Sequence, residues 1–401
     1  ATRVDVNGLI EKGRENLFLY SEDISNAAYA KIGVNATYNQ IGNPINGSVT
    51  ADKLETNGDA NVEHMVRVTN YITTGVQTIS VYVKYINYQY VYLRELADNK
   101  YAVYDIQNGI VTREDAASSQ ISTSIESVGN GWYRLSMTFL VTSIANNLID
   151  VGLSYNDTSF AGSMSAGSEA YFYGFQLESS LVATDYIETG ASTAQAGILE
   201  DLPRLDYSGG ASCPALLLEP QRTNDSVHSE YISAFNNLSA ININDNATDS
   251  PEGVSNAALI YADATSNQHY ISNNHSYTSG TAFTISIFVK VKDYDYFFIR
   301  VQDFLSPSTT SFNLSNGTLA AAGGEDSYTI ESFNSDWYRI SATYTPTSTT
   351  ANNNGLRLGF SPTASYNYTG DNASGGYVYG YQWEAGSYPT SYIPTYGSAV
   401  T

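Results

Sequence analysis

An internal repeat constrains this 401-residue chain more than any other feature, because four blocks recur in the same order about 206 positions later. Thr78–Lys84 (TISVYVK) returns as Thr284–Lys290 (TISIFVK), and Tyr88–Arg94 as Tyr294–Arg300. Trp132–Ser136 returns as Trp337–Ser341, and Tyr171–Glu178 as Tyr377–Glu384. Matching blocks at a near-constant offset require two copies of one structural unit. The opening segments agree as well: Arg3-Val4-Asp5, Leu9-Ile10-Glu11 and Arg14-Glu15-Asn16 correspond to Arg204-Leu205-Asp206, Leu217-Leu218-Glu219 and Arg222-Thr223-Asn224. Each unit therefore starts with an Arg-x-Asp hairpin. The first turns at Asn7-Gly8, a two-residue turn signal, and the second is longer, through Gly209, Gly210, Cys213 and Pro214. The pattern predicts a first module with its hairpin at 1–195, a connecting hairpin at 196–223 and a second module at 224–401. The chain starts at Ala1 without a basic-then-apolar leader and stops where a third unit could begin, which reads as processing or truncation.

Within each unit the apolar residues alternate with period two. Ile79, Val81 and Val83 point one way and Ser80, Tyr82 and Lys84 the other, and the second copy keeps both sets. Leu135-Met137-Phe139 and Ile340-Ala342-Tyr344 give further inward rows, as do Tyr173-Phe175-Leu177 and Tyr379-Tyr381-Trp383. No segment carries a helical period, and 34 Tyr against 14 Phe suits pleated strands. The expected fold is all-β: two tandem jelly-roll β-sandwich domains produced by an internal duplication. A hydrophobic content of 42% excludes a disordered class. Apolar runs as short as Ala215–Leu218 fall far below the ~20 residues of a spanning helix, so no membrane insertion is expected. With 18 Lys+Arg against 40 Asp+Glu, a formal charge of −22 argues against nucleic acid as a partner. The single Cys213 permits neither an internal disulfide nor a CxxC metal site.

Several strings resemble bacteriophage virion proteins: Ala1–Glu11 (ATRVDVNGLIE), Asn16–Asp23, Gly131-Trp132-Tyr133-Arg134, Leu216–Asn224 and Thr390–Thr395. In head fibres, tail fibres and related appendages such modules look like carbohydrate-binding, concanavalin-A-like jelly rolls. The resemblance covers nearly the whole chain. It implies a non-enzymatic structural or adhesion component at a virion surface or in the extracellular space, with other copies of itself, other virion proteins and host-surface polysaccharide as partners. A secreted bacterial glycan-binding adhesin and a filament subunit assembled head to tail are the alternatives. Jelly rolls of this kind often carry a structural calcium ion; no other cofactor is implied, and no ligand set stands out among the many oxygen donors.

No enzyme is expected from the residues themselves. Hydrolysis needs a carboxylate pair or a nucleophile with its base, and the acids, such as Glu55, Asp59, Asp245, Asp249 and Asp371, fall mostly in turns. His64 and His269 match between the copies but lack any HxH or HExxH companion. The non-core side of the strands is the sharper signal. Tyr82, Lys84, Tyr92, Arg94, Trp132 and Gln176 recur as Phe288, Lys290, Phe298, Arg300, Trp337 and Gln382. Aromatic faces beside planar donors suit sugar rings and hydroxyls, so these twelve are the candidate glycan-binding residues. Packing beneath loops or against a neighbouring subunit is the competing account.

Overall fold

The computed structural model describes residues 2–60, 62–69, 73–115, 120–144, 148–199, 202–208, 213–334 except 302–308, 336–353 and 355–401. Gly209 and Gly210 of the connecting hairpin lie outside the described residues. The fold is all-β, with two sandwiches, and their sheets are antiparallel throughout.

Residues Arg14–Ala196 form one compact unit. One six-stranded sheet runs Ile110–Glu114, Lys100–Asp105, Tyr90–Glu95, Leu148–Leu153, His64–Thr69, Ala30–Ile32; it carries Arg94 and is called the Arg sheet here. The other, the Trp sheet, runs Gln120–Gly129, Trp132–Val141, Gly75–Tyr85, Glu169–Glu178, Val49–Thr56, Val34–Gly42. Alternation sends Val66, Val91, Leu93 and Tyr104 from the first sheet against Ile79, Val81, Leu135 and Met137 from the second. Burial of such rows, at ~1.5–3 kcal/mol for each large aliphatic side chain, is the main force closing a sandwich.

The second unit is discontinuous, made of Ala1–Gly13 and Gly197–Thr401. Its Arg sheet runs Asn237–Ser239, Tyr270–Ser272, Leu356–Ser361, Tyr296–Val301, Thr309–Asn313, Thr318–Ala321. Its Trp sheet runs Ile241–Thr248, Ala257–Ala262, Gly375–Ala385, Phe283–Val291, Trp337–Tyr344, Ser327–Phe333. The N-terminal hairpin, Thr2–Val4 with Ile10–Lys12, thus groups with the later sandwich and not with the strands that follow it in sequence. Its turn is wider than Asn7-Gly8 implied, because the Asp5 carboxylate accepts the amides of Asn7 and Leu9 and organises the whole loop 5–9.

The inward rows of the last strand need one correction in each unit. Gly174 and Gly380 have φ of 64° and 63°, and the ladder shifts register at each. This bulge moves Phe172, Phe175 and Leu177 into one core and Val378, Tyr381 and Trp383 into the other, while Tyr173 and Tyr379 go to the outer face. A strict two-residue period cannot pass through such a point. Asn16 locks the first bulge by donating to the carbonyls of Phe175 and Ile187 and accepting from Phe18 and Leu177. Asn224 does the same with Tyr381, Ile393, Ser226 and Trp383.

The abundance of Tyr follows from the width of these cores. Tyr104 reaches across to the Ser136 carbonyl and Tyr344 to the Thr310 hydroxyl, so each buries a large ring and satisfies its own hydroxyl.

Candidate functional site

The strand assignment divides the twelve candidate residues between two faces. Tyr82, Lys84, Trp132 and Gln176 project from a Trp sheet and Tyr92 and Arg94 from an Arg sheet, and the same holds for Phe288, Lys290, Trp337 and Gln382 against Phe298 and Arg300. No single platform brings either set of six together.

On the Trp sheets the candidates are enclosed. Gln176 donates to Glu178 and accepts from the Ile187 amide, while Glu178 in turn holds the amide and hydroxyl of Thr184. Gln382, Glu384, Ile393 and Thr390 repeat that tether. Both glutamines are fully buried and act as clasps for the closing segments after their strands. Burial pushes the Glu178 carboxyl up, against the opposing pull of its Thr184 and Gln176 hydrogen bonds. Trp132 and Trp337 are each 2% exposed, which removes them from contact with any large ligand in this conformation. Tyr82 packs with Tyr173 and Tyr186 beneath the Arg134 guanidinium, 5.2 Å from its ring. Lys84 and Lys290 are partly buried at strand positions opposite the two Trp residues.

In the second unit the N-terminal hairpin covers this face. Ile10 enters a cluster with Phe288, Trp337, Tyr379 and Tyr392. Beside it the buried Lys12 ammonium lies 2.8 Å from Glu230 and 2.6 Å from Glu252, and donates to Tyr396. Burial opposes the charge on Lys12, but the two carboxylates outweigh it and hold the ammonium above its usual range. A cleft of about 390 Å³ borders the hairpin and reaches Phe288 and Arg339. Most of its charged lining is already engaged: Arg339 with Ser286 and Thr390, Glu219 with Arg204 and Ser391, Asp206 with the Val4 amide.

The Arg sheets differ between units. In the first, Arg94 grips Glu63 through both carboxylate oxygens at 2.8 and 2.7 Å and reaches Asp150 at 2.8 Å. Arg67 closes on the same Asp150 at 2.6 and 2.9 Å. Phe160 lies over Tyr92 with ring centroids 4.7 Å apart, and Tyr92 is fully buried. Arg94 and Tyr92 are therefore committed to the fold.

In the second unit Arg300 faces Arg357 across the strand pair, where Arg94 faces Asp150 in the first. Gln268, just before His269, stands where Glu63 precedes His64. With both acids gone, each guanidinium rests on a tyrosine: Arg300 is 3.9 Å from the Tyr366 ring and Arg357 is 4.4 Å from that of Tyr270. Arg357 also donates to Gln268 at 2.7 Å. Among the described residues no carboxylate pairs with either arginine. Both arginines and both tyrosines are partly exposed, and Phe298 lies beneath, 3% exposed. Of the twelve candidates, Arg300 is partly exposed beside a further planar donor and aromatic faces, with no carboxylate partner among the described residues. Tyr270, Tyr366, Gln268 and Arg357 escaped the repeat comparison because it sought identities; the signal was the charge reversal from Asp150 to Arg357 and the loss of Glu63.

His64 lies between the carbonyls of Gly33 and Gly162 and His269 between those of Ala240 and Tyr368, as ties between loop and sheet. Among the described residues no cluster of three or more His, Cys, Asp or Glu could hold a metal ion. No helix among them is long and apolar enough to cross a membrane.

No protein-family model matches the chain, and no curated protein matches it. Among solved structures it is similar to the N-terminal CBM22-1–CBM22-2 tandem domain of Paenibacillus barcinonensis Xyn10C, at 13% identity and a TM-score of 0.28, over 92% of this chain and 98% of that one.

Proposed function

We propose that the chain is a non-enzymatic adhesion and structural protein that binds glycans through the outer face of its second Arg sheet. The observation that carries this reading is the pair of arginines laid on Tyr270 and Tyr366 without a carboxylate partner among the described residues. Tyrosine faces offer stacking for sugar C–H bonds, and guanidinium edges offer hydroxyl donors in a fixed plane. The buried glutamates of this unit are engaged in packing and not poised for turnover: Glu230 and Glu252 are sealed around Lys12, and Glu384 is held by Gln382 and Thr390. The sequence resemblance to phage fibre and decoration proteins supports a place at a virion surface. There, weak contacts gain strength from many copies on one particle.

A glycan array probed with the full chain tests the binding. Tyr270→Ala or Arg300→Ala should lower retention at least about tenfold, the scale of one lost charged or stacking contact, with the melting temperature little changed. Unchanged retention in both variants would overturn the assignment.

Self-association has its own support. The connecting hairpin, Arg204–Asp206 with Ala215–Leu217, pairs Leu205 with Leu216 on one face and leaves Leu218 82% exposed, whereas the corresponding Ile10 of the first hairpin is 5% exposed against a sandwich. A hairpin that buries its apolar face in one repeat and bares it in the other fits docking on a second copy of this chain.

A further inference from the structure

We propose that Arg300 and Arg357 together take the carboxylate of an acidic sugar, making this face a site for uronate-bearing polysaccharide; the proposal rests on the glycan-binding reading above. The two units serve as internal controls for each other. On the same frame in the first unit, the Asp150 carboxylate sits between Arg67 and Arg94, with Oδ1 on one guanidinium and Oδ2 shared by both. That arrangement shows how a planar carboxylate bridges two arginines on this sheet. In the second unit the carboxylate position is itself an arginine, and no acid among the described residues neutralises the pair.

The physical chemistry favours an anion here. Like charges directly opposite across a strand pair repel, and Arg300 and Arg357 are such a pair. Tyrosine faces offset part of that cost but supply no hydrogen-bond acceptor. Nε and Nη1 of Arg300 and Nε of Arg357 are sheltered from solvent and lack an acceptor among the described residues. A carboxylate approaching the exposed edges of the two guanidiniums would relieve the repulsion. Each guanidinium lies over a tyrosine ring, Arg300 over Tyr366 and Arg357 over Tyr270, so the sugars next to the uronate would meet the ring edges left uncovered. The overall charge of −22 works against polyanions in general, so affinity for one must come from a local site.

Titration calorimetry of the full chain with polygalacturonate, a sulfated dextran and a neutral dextran of matched length tests this. The expected result is binding of polygalacturonate at least about tenfold tighter than of neutral dextran, weakening as salt rises. Arg357→Asp restores the residue type of the first unit and should abolish that preference with the melting temperature held or raised. Arg357→Gln provides the same test without a new charge if the first variant fails to fold. Equal affinity for neutral and acidic polymers would overturn the acidic-sugar inference and leave the glycan reading standing. A preference for sulfated dextran would overturn the carboxylate assignment, and acidic binding that survives both variants would overturn the site. Binding of none of the polymers, with no retention on the array, would overturn both readings.

Discussion

At the residue scale, Gly174 and Gly380 show how one backbone conformation redirects a whole strand. A side chain at either would adopt a left-handed φ and would meet Tyr82 or Phe288 at 3.1 Å, with Tyr186 or Tyr392 behind it. Left-handed backbone costs most residues about 1–2 kcal/mol, and the crowding adds to that. Gly380→Ala is therefore expected to lower unfolding free energy by at least about 1–2 kcal/mol in a urea titration, since the bulge has no alternative geometry without turning Tyr381 and Trp383 out of the core. A change within error would mean that the strand tolerates a regular ladder there. Gln176 and Gln382, legible as recurring outer-face residues, are clasps and not ligand donors because their own closing segments fold over them and take their hydrogen bonds.

At the element scale, the docking of the N-terminal hairpin depends on one buried charge. Lys12→Met would leave Glu230 and Glu252 enclosed without their counter-ion. Removing one partner of such a group costs about 3–5 kcal/mol, more than the ~1.5–3 kcal/mol of apolar burial at Ile10 can offset. Hydrogen exchange should then show loss of protection at the Ile10 amide, which donates to the Pro251 carbonyl. Retained protection would show that the apolar contacts suffice. The pH dependence follows from three groups with different signs. Burial works to raise Glu252, but Lys12 and the hydrogen bonds from Tyr379 and Asn256 hold it below the usual carboxylate range. Its contribution is thus present above its unfolded value and lost as pH falls through the folded one. Glu230 is raised by burial despite Lys12, so its protonation favours docking as pH falls from neutral. Lys12 is raised, and its contribution persists below its unfolded value of about 10.4. Ile10 protection factors should accordingly hold or rise slightly from neutral to mildly acidic pH and collapse below about pH 4. A steady decline beginning near pH 7 would contradict this assignment.

At the scale of the whole molecule, the bared leucines of the connecting hairpin lead to a test of assembly. Burying each in an interface would contribute ~1.5–3 kcal/mol, so three of them can sustain association at high local copy number. The full chain is expected to scatter light as a species larger than 43.5 kDa, and Leu216→Asp with Leu218→Asp to return it to that mass. A wild-type chain that stays at 43.5 kDa at every concentration would refute self-association through this hairpin. The repeat, the all-β class and most of the inward rows were legible in the sequence, because duplication and period-two alternation are properties of the chain read in order. The bulges were not, since a left-handed glycine looks like any other glycine until its ladder is drawn. Nor was the grouping of Ala1–Gly13 with Gly197–Thr401, because adjacency along a chain carries no information about which sandwich a hairpin meets. The candidate site divides in the same way. Arg300 was visible as a repeated residue on a non-core face, but only the tertiary structure set Arg357 across from it and Tyr270 and Tyr366 beneath the pair. The reason is that charge balance is settled between strands distant in sequence, where two substitutions, Arg357 for Asp150 and Gln268 for Glu63, turn a closed ion cluster into one unmatched among the described residues.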